Sequence, residues 1–324
     1  MKRFCMALLG ACLLGALAPA AAQEAYPSRT VRIVDGFPAG GSTDALARFI
    51  ATRLGDQWGS PVIVENRSGA SGQIGAASVA RSEPDGYNFF VAPNPDILIT
   101  GPLLYKDLPY NVEEDFIPVA VIADVPLVLT VRGSHPAKTA QQLIELAKAS
   151  PGKLTYGSAG QGTVHHLSAA MFTSLAGIDM LHVPYKGTAP AVQDLLGGHV
   201  DVVISPITAV LPHIQQGTLR ALGVAASQPV NSLPGVPALS EVVPGYEGTL
   251  WISLIGPKGM PEAIMQRWNK AVAEVMASPA AHETFVSQGI VPAKATPLAE
   301  IQARMSADSE RWAKVIRDAN ITIQ

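Results

Sequence analysis

Cysteine is almost missing: the 324-residue chain has two, Cys5 and Cys12, both inside the first apolar segment. A fold built beyond that segment uses no disulfide, zinc-thiolate site or cysteine nucleophile. Charge is also sparse, at 15% of residues, and Lys plus Arg (23) fall short of Asp plus Glu (26). With no basic surplus to neutralise a phosphate backbone, nucleic acid is not an expected partner. The longest apolar stretch falls short of the roughly 20 residues that span a bilayer. Phosphate-binding signatures are absent too. Lys186-Gly187-Thr188 lacks the preceding glycine of a P-loop, and Gly157, Gly160 and Gly162 reverse the dinucleotide spacing, so no cofactor is expected. What remains is 48% apolar, enough to exclude a disordered chain, and long enough for two domains.

Lys2 and Arg3 precede an apolar run over residues 4–17, small residues follow over 18–22, and Gln23-Glu24 are polar. That order is a secretory signal peptide over 1–22, with the mature chain starting near Gln23. Leu9-Gly10-Ala11-Cys12 offers a rival, a lipoprotein anchor at Cys12, but it would leave the apolar residues 13–22 as a tether beyond the lipid. Loss of Lys2 and Arg3 makes the mature chain more acidic, so an anionic ligand needs a local attraction against the global field.

Short β-rich runs at 31–34, 62–65, 89–92, 127–131, 154–156, 202–205, 219–224 and 251–255 alternate with helical patterns, which predicts an α/β fold, each domain a mostly parallel sheet flanked by helices. Leu46, Phe49, Ile50 and Leu54, and likewise Val164, Leu167, Met171 and Leu175, share one helical face. Gly55 and Gly177 are the expected stops. The last seventy residues read as helical, with Pro261, Pro279 and Pro297 at first helical positions. No Gly/Ser-rich linker separates two beads. The chain is therefore expected to cross between domains twice, residues 23–125 plus 251–324 forming one and 126–250 the other, with a ligand cleft between them.

Each half carries a strand, a Gly-rich turn and a helix. Residues 31–34 lead through Phe37-Pro38-Ala39-Gly40-Gly41-Ser42-Thr43-Asp44, and 154–156 lead through Gly157-Ser158-Ala159-Gly160-Gln161-Gly162-Thr163. Glycine lets the backbone approach a ligand, hydroxyls suit the cap position, and first-turn amides lack internal partners. Such turns can simply start helices; together they form two anion sites that can grip one carboxylate.

A hydrolase reading pairs Ser158 with His165 or His166 and with Asp194 or Asp201. The spacing opposes it, because glycine stands directly before the serine rather than two residues away. Adjacent histidines diverge by about 100° on a helix and form no i, i+4 metal pair, so neither catalysis nor a metal site is expected. Trp251, Trp268 and Trp312 read as core or hinge packing.

The motifs above, with Val64-Glu65-Asn66-Arg67, Gly69-Ala70-Ser71-Gly72-Gln73-Ile74-Gly75, Pro84-Asp85-Gly86-Tyr87, His182-Val183-Pro184-Tyr185-Lys186-Gly187, Asp194-Leu195-Leu196-Gly197-Gly198 and Leu211-Pro212-His213-Ile214, occur in order along the mature chain. In this the sequence resembles the tripartite tricarboxylate transporter substrate-binding receptors, or Bug receptors. The resemblance implies a monomeric periplasmic two-domain Venus flytrap that binds a small carboxylated solute (a di- or tricarboxylate, an amino acid or an aromatic acid) and passes it to inner-membrane permease subunits. It further implies ligand contacts from Ala39, Gly40, Gly41, Ser42, Thr43 and Asp44 in one domain and Ser158, Ala159, Gly160, Gly162, Thr163 and His166 in the other. Two departures bear on the ligand. Pro93-Asn94-Pro95-Asp96 replaces a loop that often bears Ser, Thr or His, and Ser205-Pro206 stands where many relatives have Asp. Asn94, Asp96 and Ser205 join the candidate site on that ground, Asp96 either as a partner for an ammonium or ring nitrogen or as a plain helix cap. A sensor module reporting occupancy, or a Ser/His hydrolase, are the alternative functions.

Overall fold

A computed structural model describes residues 26–105, 107–225, 230–319 and 321. The signal segment 1–22, with Cys5 and Cys12, lies outside the described residues. Along the chain run β1 (Val31–Asp35), α1 (Ser42–Trp58), β2 (Val62–Asn66), α2 (Gln73–Ala80), β3 (Asn88–Asn94), the single turns α3 (Gly101–Leu104) and α4 (Val112–Asp115), and β4 (Phe116–Val125). Then come β5 (Leu127–Arg132), α5 (Ala140–Ala149), β6 (Thr155–Ser158), α6 (Val164–Ala176), β7 (Leu181–Pro184), α7 (Thr188–Gly197), β8 (Val202–Pro206), α8 (Ile207–Gln215) and β9 (Leu219–Ala225). The chain closes with α9 (Leu239–Val242), β10 (Leu250–Pro257), α10 (Glu262–Met276), α11 (Pro279–Phe285), β11 (Val291–Pro292) and α12 (Leu298–Asp318).

The strands form two sheets, ordered β11-β4-β10-β3-β1-β2 and β7-β6-β8-β5-β9. In the first, β1 is parallel to β2 and β3, while β10 runs antiparallel between β3 and β4. The second repeats this plan: β6 is parallel to β7 and β8, and β5 runs antiparallel between β8 and β9. Both sheets are thus mixed: β10 and β5, each laid down as the chain arrives from the other sheet, run reversed, as does the two-residue β11 at the edge of the first. The plan makes β1–α1 the counterpart of β6–α6. It also sends the carboxyl ends of β1, β3, β6 and β8 to the side where open α/β sheets bind ligands.

Local chemistry explains the elements. On α1, Leu46, Ala47, Ile50, Ala51 and Leu54 are buried, the stripe that docks it on the sheet. The expected stop at Gly55 is corrected. The helix runs a further turn to Trp58, which packs edge-on against Trp268 with centroids 4.8 Å apart, and Gly59 takes the left-handed cap at φ 65°. Gly177 caps α6 at φ 61°, where the sequence places it. Pro279 is the first residue of α11 behind Ser278, whose Oγ accepts from Ala281 N. Pro261 and Pro297 sit one residue earlier than expected, at the N-cap. The strands β4, β7 and β11 were not expected. β4 is nearly all buried, so the alternation that betrays a half-exposed strand is lost.

Candidate functional site

Each Gly-rich turn leads into a helix whose first residue contacts the other lobe, Ser42 meeting Thr208 and Val164 meeting Asp96, but the two turns are built differently. In the first, Asp35 ends β1 fully buried and accepts from Phe37 N (3.0 Å) and from the Thr43 hydroxyl (3.0 Å). Burial pushes its carboxyl up to about 6 despite these two donors. Asp44 folds back over the turn: one oxygen accepts from Gly40 N (3.0 Å) and the other from Asn66 Nδ2 (3.0 Å), while Arg48 Nε lies 3.0 Å from both. Burial opposes ionisation here, but the Arg48, Gly40 and Asn66 donors outweigh it and hold Asp44 below its ordinary range. Thr43 and Asp44 therefore brace the turn from beneath. Gly36 permits it: a Cβ there would lie 2.7 Å from Gly72 Cα. Gly40 adopts φ +93°, which disfavours a side chain.

Above this brace, Ala39, Gly40 and Gly41 are exposed and Ser42 is partly so. Gly41 is the N-cap of α1 and no side chain caps the helix there, correcting the expectation of a capping hydroxyl. The Ser42 hydroxyl instead reaches the other lobe, 3.2 Å from Thr208 Oγ1 at the start of α8. The first-turn amides of α1 have no partner within the helix and carry its positive end.

In the second turn most amides are committed. Gly160 N donates to Ser158 Oγ (3.2 Å), Gly162 N to His166 Nδ1 (3.1 Å), and Thr163 N to Gly160 O (3.4 Å). Val164 N, the first of α6, donates to Asp96 Oδ1 of the opposite lobe at 2.7 Å. The Thr163 hydroxyl donates to Gly160 O (2.7 Å) rather than capping the helix. Thr100 Oγ1 lies 3.4 Å from Gly162 O and adds a second strut between the lobes. Asp96 is thus a helix cap, supplied from the other lobe. Burial pushes its carboxyl up to about 7, with the Val164 amide pulling the other way.

Beneath this turn lies a ring stack. The rings of His166 and His182 stack nearly parallel with centroids 3.9 Å apart, and Tyr156 stacks on His182 at 4.9 Å. His182 Nε2 is 2.7 Å from Ser158 Oγ, and Ser158 is fully buried. Burial holds His182 near 4 and, helped by His182, His166 near 3, so both rings are neutral. His165 is buried on the other side of α6, with Nε2 3.3 Å from Thr188 Oγ1. The partners assigned to a hydrolase are otherwise engaged: Asp194 accepts from the Tyr185 hydroxyl and Asp201 from Thr155.

At the neighbouring strand ends, Asn94 Nδ2 donates to Ser253 Oγ (2.7 Å), whereas Asn94 Oδ1 and Ser205 Oγ are buried without a hydrogen-bond partner. Such atoms are costly, about 1–3 kcal/mol each, and mark positions that structural packing does not explain. Sequence reasoning missed Asp35, Thr100, His182 and Thr208. Of these only His182 carried a signal, its place in the His182-Val183-Pro184-Tyr185 motif. No group of three or more potential metal ligands occurs among the described residues.

Two sheets of one plan, joined by two crossings and meeting where Ser42 reaches Thr208 and Asp96 reaches Val164, define a two-lobe solute-binding receptor. The chain belongs to the tripartite tricarboxylate transporter receptor family: the family model described as Tripartite tricarboxylate transporter family receptor matches residues 46–321. It is 37% identical to Protein BugT of Bordetella pertussis over 311 residues, 96% of this chain and 95% of that protein. Among solved structures it resembles R. palustris Rpa4515 with adipate (TM-score 0.84, 36% identity, 92% of this chain and 99% of that one). It also resembles the periplasmic binding protein BugD (TM-score 0.80, 33% identity, 92% and 100%).

Proposed function

We propose that this chain is an exported, periplasmic receptor that captures a small carboxylated solute between its lobes and presents the closed form to inner-membrane permease subunits, without transforming it. The observation that carries the reading is the uncapped N-terminus of α1, exposed over residues 39–41 and lying where Ser42 meets Thr208 of the other lobe. A ligand carboxylate at the amides of 41–43 gains about 0.3–2 kcal/mol from the helix end and about 1.5–3 from each charged hydrogen bond. Four or five such bonds reach micromolar affinity, about −8 kcal/mol, after the cost of immobilisation. Adipate in a relative of this shape supports the solute class, and the leader pattern over residues 1–22 supports export.

The Ser158–His182 contact favours a second reading, a hydrolase, which the burial of Ser158 opposes. Turnover separates the two. The mature chain, titrated with adipate and a panel of amino and aromatic acids, is expected to gain thermal stability while every acid is recovered intact. Product from any of them, or no stabilisation by all, overturns the receptor reading.

A further inference from the structure

The repeated plan makes the N-termini of α1 and α6 counterparts, yet only one is available to a ligand. Val164 N already holds a carboxylate, that of Asp96, and Gly160 N and Gly162 N are bonded within their own lobe. The protein has supplied from within the anion that the symmetric arrangement would take from solute. Asp96 as a residue is only partly buried, and its bond to Val164 N places it at the junction of the lobes. Its hydrogen bond is to a backbone amide, whereas Asp44 at the other turn is offset by Arg48. A second ligand carboxylate directed at α6 would meet this like charge. An ammonium or amide N–H would meet an acceptor.

We infer that Asp96 is a specificity-determining residue: it fills the helix end of the second lobe and selects solutes with one carboxylate, held at α1, whose far end is uncharged or cationic and donates hydrogen bonds. Amino acids and amide acids fit this pattern and plain dicarboxylates do not. The inference rests on the receptor reading above and narrows its solute class.

The test is calorimetric titration of the mature chain at pH 8, where Asp96 is ionised, with adipate, its monoamide and 6-aminohexanoate, three ligands of matched length. The wild type is expected to bind the monoamide or the amino acid at least ten-fold more tightly than adipate. Asp96→Asn keeps an oxygen for Val164 N while removing the charge, and is expected to shrink that ratio at least ten-fold. Repetition of the wild-type ranking at pH 6, where Asp96 takes up its proton, gives a check that needs no variant: adipate is expected to gain on the monoamide. A wild type that prefers adipate at pH 8, or a ranking unmoved by Asp96→Asn, overturns the inference and leaves the receptor reading standing. If no carboxylate of any kind binds, the receptor reading falls and the selectivity falls with it.

Discussion

The two Gly-rich turns begin from one plan and end with opposite chemistry. At α1 the acidic groups lie below the turn, Asp35 holding Thr43 and Asp44 holding Gly40, and the helix end above is left uncapped. At α6 an acidic group arrives from the far lobe and occupies the helix end itself, while Ser158 and His166 take up the amides of Gly160 and Gly162. A Gly-rich turn before a helix is therefore an anion site only while the protein has no anion of its own to put there. What distinguishes the two is whose carboxylate is nearest, not the glycines.

The comparison breaks most visibly if α1 is given the cap that α6 has. Gly41→Asp places a carboxylate at an N-cap with room for it, since a Cβ there meets nothing nearer than Pro38 O at 3.9 Å. Carboxylate affinity is expected to fall at least a hundred-fold in calorimetry, about 2.7 kcal/mol, with the melting temperature unchanged or slightly raised because Asp is the better cap. Undiminished binding would mean that the solute's charge is held elsewhere.

Gly36→Ala probes the brace under the open turn. Its Cβ would strike the backbone of Gly72, so a loss of about 1–3 kcal/mol in denaturant unfolding is expected. A variant as stable as the wild type would show that the first turn is held more loosely than its contacts imply.

Acid separates the lobes next. His165 titrates near 6.5 when unfolded and near 4 in its buried place, so as pH falls below 6.5 the unfolded chain takes up the proton first and stability drops, on the order of 1–2 kcal/mol by pH 5. Asp35 runs the other way: its folded value near 6 lies above the unfolded one, so its ionisation weakens the fold as pH rises toward 6 and above, and acid relieves this. Melting curves from pH 7 to 5 should flatten in His165→Gln and steepen in Asp35→Asn. Parallel curves for all three proteins would contradict both assignments.

The smallest effect belongs to the contact that joins the open turn to the other lobe. Thr208→Val removes the partner of Ser42 and is expected to weaken solute binding two- to five-fold, within the usual worth of one neutral hydrogen bond. A loss of a hundred-fold would make that contact part of the carboxylate site rather than a lobe-to-lobe strut.

Much of the fold was legible because its signals are local. β-branched runs marked most strands, one apolar stripe marked α1, and Gly177 marked the end of α6. β4 escaped because burial on both faces erases alternation, and α1 outran Gly55 because Trp58 finds Trp268 far along the chain. In the site the glycines and hydroxyls were readable as an anion-binding pattern, but their partners were not. Asp96 and Val164 stand 68 residues apart and Ser42 and Thr208 stand 166 apart. No local spacing says that a carboxylate in one lobe caps a helix in the other, or that His182 rather than His165 or His166 meets Ser158.

The most direct measurement is a crystal structure of the mature chain with 6-aminohexanoate bound. The carboxylate is expected within hydrogen-bond distance of the backbone amides that open α1, with Asp96 still on Val164 N and the ammonium on its side of the cleft. A carboxylate seated at α6 with Asp96 displaced, or bound away from both helix ends, would contradict the account.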